Sequence, residues 1–145
     1  MRKLARLASL PGQERRLLVS ALVLVAATRA ALPLVPFRRL QALAQRASTP
    51  RAGVGASRAG PSPERVAWAV GVAARYVPDA TCLAQALALQ RLLSRYGHRA
   101  ELRIGVAKED GDLKAHAWLE REGKILIGAA GASEFTALAA TGERV

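Results

Sequence analysis

Cysteine is nearly absent from this chain of 145 residues, with Cys82 the only one. One thiol cannot close an internal disulfide, and it cannot build a cysteine-rich metal site. Histidine is almost as scarce, with only His98 and His116. No structural metal and no cofactor is therefore expected. A lone thiol fits a reducing compartment, so the expected location is cytoplasmic. Aromatic residues are few, two each of Phe, Trp and Tyr. Ala and Leu take their place, which favours helix. Apolar residues make up 51% of the chain, enough for the core of one domain and too many for a disordered polymer.

Acidic residues are missing where basic ones gather. Residues 1–60 hold eleven Lys and Arg against Glu14 alone, a net of +10. Residues 61–145 hold eleven against ten, a net of +1, and the two parts sum to the formal +11. The basic residues alternate with apolar ones rather than with stacking aromatics, so nucleic acid is not expected as a partner. An acidic protein or an anionic membrane surface suits such a region better.

A long hydrophobic run is missing too. The charge-free stretch 17–28 has twelve residues, against the roughly 20 that a spanning helix needs. A secretory signal would also have a basic start and an apolar core, but "PGQERR" puts a proline and an acid before the run and Arg29 closely follows it. The pattern predicts a buried or half-buried helix over Gly12–Ala31, capped by Ser9 or a neighbour and ended by Pro33 and Pro36. Peripheral membrane contact aided by Arg15, Arg16, Arg38 and Arg39 stays an alternative.

"PFRRLQALAQRAS" predicts a second short helix over 36–47, with Phe37, Leu40 and Leu43 on one stripe. Residues 48–63, "STPRAGVGASRAGPSP", read as a flexible linker or loop. They divide a basic helical region, 1–47, from the remainder, 64–145. A third helix begins at Ser62 and Pro63, with Glu64 in its first turn, and stops before Pro78. A fourth runs from Cys82 to Tyr96, with Gly97 closing it. The period then changes from helical to alternating. "RAELRIGVAK" and "KAHAWLE" predict two strands joined by a turn at "KEDGD". "REGK" turns again into a third strand, "KILIGAA", and "SEFTALAA" predicts a short closing helix. Helices followed by an antiparallel meander make the fold class α+β.

Within this layout Cys82 opens a helix, where free backbone N–H groups and the helix dipole stabilise a thiolate. A thiolate nucleophile also needs a proton shuttle. His116 supplies one on a strand of a sheet expected to pack against that helix. Spacing alone argues little further. A cysteine in an Ala/Leu helix is usually core packing, a lone histidine on a strand is usually structural, and Trp118 fits a core aromatic better than a substrate platform.

The ordered set "CL…ALAL…LL…G", "LRIGV.K" and "AHAWLE..G", within residues 82–128, resembles the core of the transglutaminase-like leader peptidases of lasso-peptide biosynthesis. "ERRLL…LPLVPFRRL" resembles the helical front end of their stand-alone forms. The resemblance implies a transglutaminase/papain-like core, with the nucleophile at a helix N-terminus packed on a small antiparallel sheet. It implies a cysteine peptidase that removes the leader from a ribosomally made precursor. Cys82 would be the nucleophile, and His116 the general base and then the acid. It further implies partners: the leader peptide, a separate leader-recognition protein, and an ATP-dependent macrolactam synthetase that takes the released core peptide.

One position departs from the pattern. The family often carries an Asp twelve residues after the histidine, and here that place is Gly128. Glu120 shares the His116 face but lies about 13 Å along the strand. Asp112 and Glu134 are weaker candidates, and a backbone carbonyl is another means of holding the ring. The Cys82 N–H with Gln85 as a side-chain donor could form an oxyanion hole, and Gln85 and Trp118 are the candidate substrate-side residues. Gly128 also leaves open a second reading, a non-catalytic peptide-binding or scaffold protein that kept the fold.

Overall fold

A computed structural model of the chain describes residues 5–6, 8–36, 38–39, 42, 60–128 and 136–137. The helices described in full come first: α1 (Gly12–Ala31), α2 (Pro63–Ala74) and α3 (Cys82–Arg95). A sheet follows, with β1 (Glu101–Glu109), β2 (Asp112–Arg121), β3 (Lys124–Ile127) and β4 (Thr136–Ala137) in the spatial order β3-β2-β1-β4. Every neighbouring pair is antiparallel, so the α+β expectation holds.

The starts of the helices differ in kind. Ser62 caps α2, its hydroxyl accepting from the Arg65 N–H at 3.2 Å, and Pro63 takes the first helical position. A cap of this type contributes about 1 kcal/mol. The start of α1 has no side-chain cap, because Pro11 occupies the cap position and its carbonyl accepts from Arg15 at 3.1 Å. The Ser9 cap is therefore corrected. Ser9 stands three residues before the helix and its hydroxyl donates instead to the Arg6 carbonyl at 2.8 Å.

One core joins all the layers. Leu17, Leu18, Ala21, Leu24 and Val25 of α1 are buried with Val66, Ala69 and Val70 of α2 and Leu89, Leu92 and Leu93 of α3. The same cluster takes in Leu102 of β1 and Ala117 and Leu119 of β2. α1 thus shares its core with α2, α3 and the sheet. The opposite side of α1 carries Val19, Leu22 and Val23 exposed. Among the described residues no helix is long and apolar enough to cross a membrane.

Both hairpins turn in two residues with positive φ: Asp110 at 51° and Gly111 at 85°, then Glu122 at 50° and Gly123 at 77°. Such turns match the right-handed twist of the flanking strands. Between β2 and β3 the register slips: Leu119 faces Ile127, while Glu120 faces Ile125. The extra residue, Leu126, is a β-bulge, and it lets both Leu126 and Ile127 reach the core. A bulge also re-aims the chain that leaves it, and the next residue is Gly128.

The closing helix over "SEFTALAA" is not present at its centre. Thr136 and Ala137 form β4 and pair with Val106 and Gly105. An isolated eight-residue helix pays the full cost of nucleation, whereas the free edge of β1 offers N–H and C=O groups ready to pair. The second helix, expected over 36–47, lies mostly outside the described residues. Within it Arg38, Arg39 and Ala42 are helical, and the Arg39 N–H donates to the Pro36 carbonyl at 2.9 Å.

Candidate active site

Cys82 is the first residue of α3, half-exposed at the margin of the core. Its position is set by Thr81, whose backbone is extended (φ −68°, ψ 160°) and whose hydroxyl accepts from the Ala84 N–H at 3.2 Å. The Gln85 N–H closes the first helical turn on the Thr81 carbonyl at 3.0 Å. Helix geometry leaves the N–H groups of the first turn without intrahelical acceptors, and the Cys82 amide is one of these. Gln85 folds back as well. Its Nε2 donates to the Ala80 carbonyl at 3.0 Å, tying the approach to α3 onto the helix. At least one of its two amide hydrogens is thereby engaged by the protein's own backbone.

His116 projects from β2, and α3 packs on that strand. Its cross-strand neighbour is Gly105, which has no side chain to compete for the space beside the imidazole. Ala117 and Leu119 are buried in the core shared with the helices, and His116, Trp118 and Glu120 alternate with them on the other face of the sheet. The imidazole is half-buried, with Nε2 2.7 Å from the Gly128 carbonyl. A carbonyl can only accept, so Nε2 carries the proton and donates. In the neutral ring the lone pair is then on Nδ1.

Trp118 lies against the same ring. The His116 and Trp118 centroids are 6.0 Å apart and their planes are inclined by 26°. Trp118 is only 4% exposed. Its indole Nε1 donates to Glu120 Oε1 at 2.8 Å. The other oxygen of Glu120 pairs with Arg103 Nε at 3.5 Å. Glu120 thus braces Trp118. Asp112 is exposed at the first hairpin, and Glu134 lies outside the described residues.

The residue not foreseen as a partner in its own right is Gly128. It lies twelve residues beyond the histidine and supplies an acceptor from its backbone. The available signal was the glycine itself.

An open cleft of about 960 Å³ lies elsewhere, lined by Gly97, Arg99, Glu101, Arg103, Glu120 and Glu122 among others. Its charges pair with one another, Arg103 holding Glu101 at 3.0 Å as well as Glu120. Neither Cys82 nor His116 is among its lining residues. Among the described residues no group of three His, Cys, Asp or Glu is placed to hold a metal ion.

A family model described as the transglutaminase-like superfamily matches residues 18–140. The match runs from within α1 past β4 and takes in Cys82, His116 and Gly128. No curated protein and no solved structure matches the chain.

Proposed function

The chain belongs to the transglutaminase-like superfamily, which includes cysteine peptidases, and on that premise we propose that it removes the leader from a ribosomally made lasso-peptide precursor. Cys82 Sγ attacks the carbonyl carbon of the last leader residue as His116 Nδ1 takes the thiol proton. The tetrahedral oxyanion draws on the Cys82 N–H, with a second donor from the first turn of α3. Collapse breaks the C–N bond, and His116 returns the proton to the leaving amine of the core peptide. The leader remains as a Cys82 thioester. Water, deprotonated by His116, then attacks that thioester, releasing the leader carboxylate and the free thiol.

The observation that carries this reading is the imidazole. Its Nε2 donates to the Gly128 carbonyl, which puts the lone pair of the neutral ring on Nδ1, and its strand packs on α3, the helix opened by Cys82, through the neighbouring Ala117 and Leu119. The alternative, a non-catalytic scaffold, drew its support from the lack of an acid at position 128. The hydrogen bond to Gly128 weakens that support, because it gives the ring a backbone acceptor at that position.

The reaction is expected to need a separate leader-recognition protein, and the released core would pass to an ATP-dependent macrolactam synthetase in the cytoplasm. Arg15 and Arg16, exposed at the start of α1, form a docking surface of the right sign for an acidic partner. To test the function, precursor and leader-recognition protein are mixed with this protein and the leader fragment is sought by mass spectrometry. Cleavage is expected with the native chain and none with Cys82→Ala. Cleavage that persists in the mutant would sink the mechanism.

A further inference from the structure

The place where the family pattern expects an orienting acid is not simply vacant in this chain. Gly128 follows the β-bulge of β3, and its φ is +83°. A Cβ built on it would lie 2.7 Å from the Ala117 carbonyl oxygen, 2.9 Å from Trp118 Cβ and 3.1 Å from Trp118 Cα. Two of these atoms belong to the β2 backbone, which cannot swing aside as a flexible side chain would. Position 128 therefore rejects every side chain on two grounds, its left-handed backbone and its contact with β2. The close approach that excludes a carboxylate is also what brings the Gly128 carbonyl to 2.7 Å from His116 Nε2.

We propose that the Gly128 backbone carbonyl is the positioning group of His116 and does the orienting work that a carboxylate does in relatives. The inference rests on the Cys82–His116 reading for its catalytic meaning, but its geometry stands independently. The carbonyl selects the Nε2–H tautomer of the neutral ring and thereby presents Nδ1 as the base. Trp118 limits the ring's rotation from its stacked position. A neutral acceptor orients as well as an ionised one, but a hydrogen bond to an ionised group is roughly twice as strong. At Nε2 this chain therefore sets the direction of the imidazole with a neutral acceptor. It follows that Gly128→Asp does not restore a stronger triad. It displaces β3 from β2 and takes the carbonyl away.

The first test needs no substrate. The full chain carrying His98→Gln has one histidine, whose ring nitrogens are read by NMR after ¹⁵N labelling, at a pH where the ring is neutral. The proposal expects Nε2 protonated and Nδ1 unprotonated. A dominant Nδ1–H form, or an even mixture, overturns it. The second test compares Gly128→Ala with Gly123→Ala. Gly123 also has positive φ, 77°, but a Cβ there meets nothing within 4 Å, so this variant carries backbone strain without moving the carbonyl. Gly128→Ala should lower kcat about tenfold to a hundredfold, the scale of a misplaced catalytic group, with KM little changed and the tautomer preference lost. Gly123→Ala should lower Tm and leave kcat and the tautomer as they were. Equal kcat in the two variants overturns the proposal, and if Gly128→Ala does not fold, the tautomer of the native ring decides alone. A chain with the Nε2–H ring but no Cys82-dependent cleavage would overturn the peptidase reading and not the role of Gly128.

Discussion

The two halves of the candidate site are built in different ways. At the N-terminus of α3, side chains do the positioning: Thr81 caps the helix and Gln85 ties down the chain leading into it. At the β2–β3 corner the backbone does it, through a bulge, a positive-φ glycine and a carbonyl aimed at the imidazole. Side-chain devices are independent modules that tolerate single replacements. A backbone device depends on the register of two strands and fails as a unit. The helix side should therefore degrade gradually under mutation, and the sheet side abruptly.

The largest effect should come from the sheet side. His116→Ala removes the proposed proton shuttle and, on that proposal, should slow leader removal by about 10²- to 10⁴-fold in single-turnover assays. A fall of less than tenfold would show that another group moves the proton. Next comes the common support of both halves. Leu89 is fully buried in α3, and Leu89→Ala should cost about 2–5 kcal/mol by urea unfolding. If this variant instead lost turnover with no loss of stability, the helix would be more than a rigid mount.

A smaller effect is expected at the cap. Thr81→Ala should cost about 1 kcal/mol of stability and lower turnover far less than His116→Ala. A larger kinetic loss would mean that the α3 terminus is as unforgiving as the sheet corner, and the contrast would break. The smallest effect lies away from the site. At the start of α2 a hydrogen bond from its own backbone N–H, helped by Lys124 at 3.4 Å, holds the Glu64 carboxyl below its usual value of 4.5. A depressed folded-state pKa adds stability above the unfolded-state value, and that stability is lost as pH falls through the folded one. Glu64→Gln should thus lower Tm slightly at neutral pH, and the difference should vanish in strongly acidic buffer. A difference that persists there would assign the effect to packing.

The same contrast explains what could be read in the sequence. α1 and α3 were legible because a 3.6-residue period, a proline and a closing glycine mark them. The hairpins were legible because Asp110–Gly111 and Glu122–Gly123 spell their turn type. Cys82 and His116 stood out by scarcity and by the motif around them. Two things did not stand out. The edge strand Thr136–Ala137 was hidden because pairing with β1 overrides the weak helical pattern of a short segment. The role of Gly128 was hidden because a backbone carbonyl leaves no letter in a sequence. A glycine there marks only that something comes close, and what comes close is known only once the bulge has fixed the register.

The central claim is that leader removal passes through a Cys82 thioester. The most direct measurement adds hydroxylamine to a reaction of the native protein, precursor and leader-recognition protein, and analyses the leader by mass spectrometry. The account predicts a leader hydroxamate, formed with the native chain and missing with Cys82→Ala. Leader released only as the carboxylate, with no hydroxamate at any hydroxylamine concentration while cleavage proceeds, would contradict it.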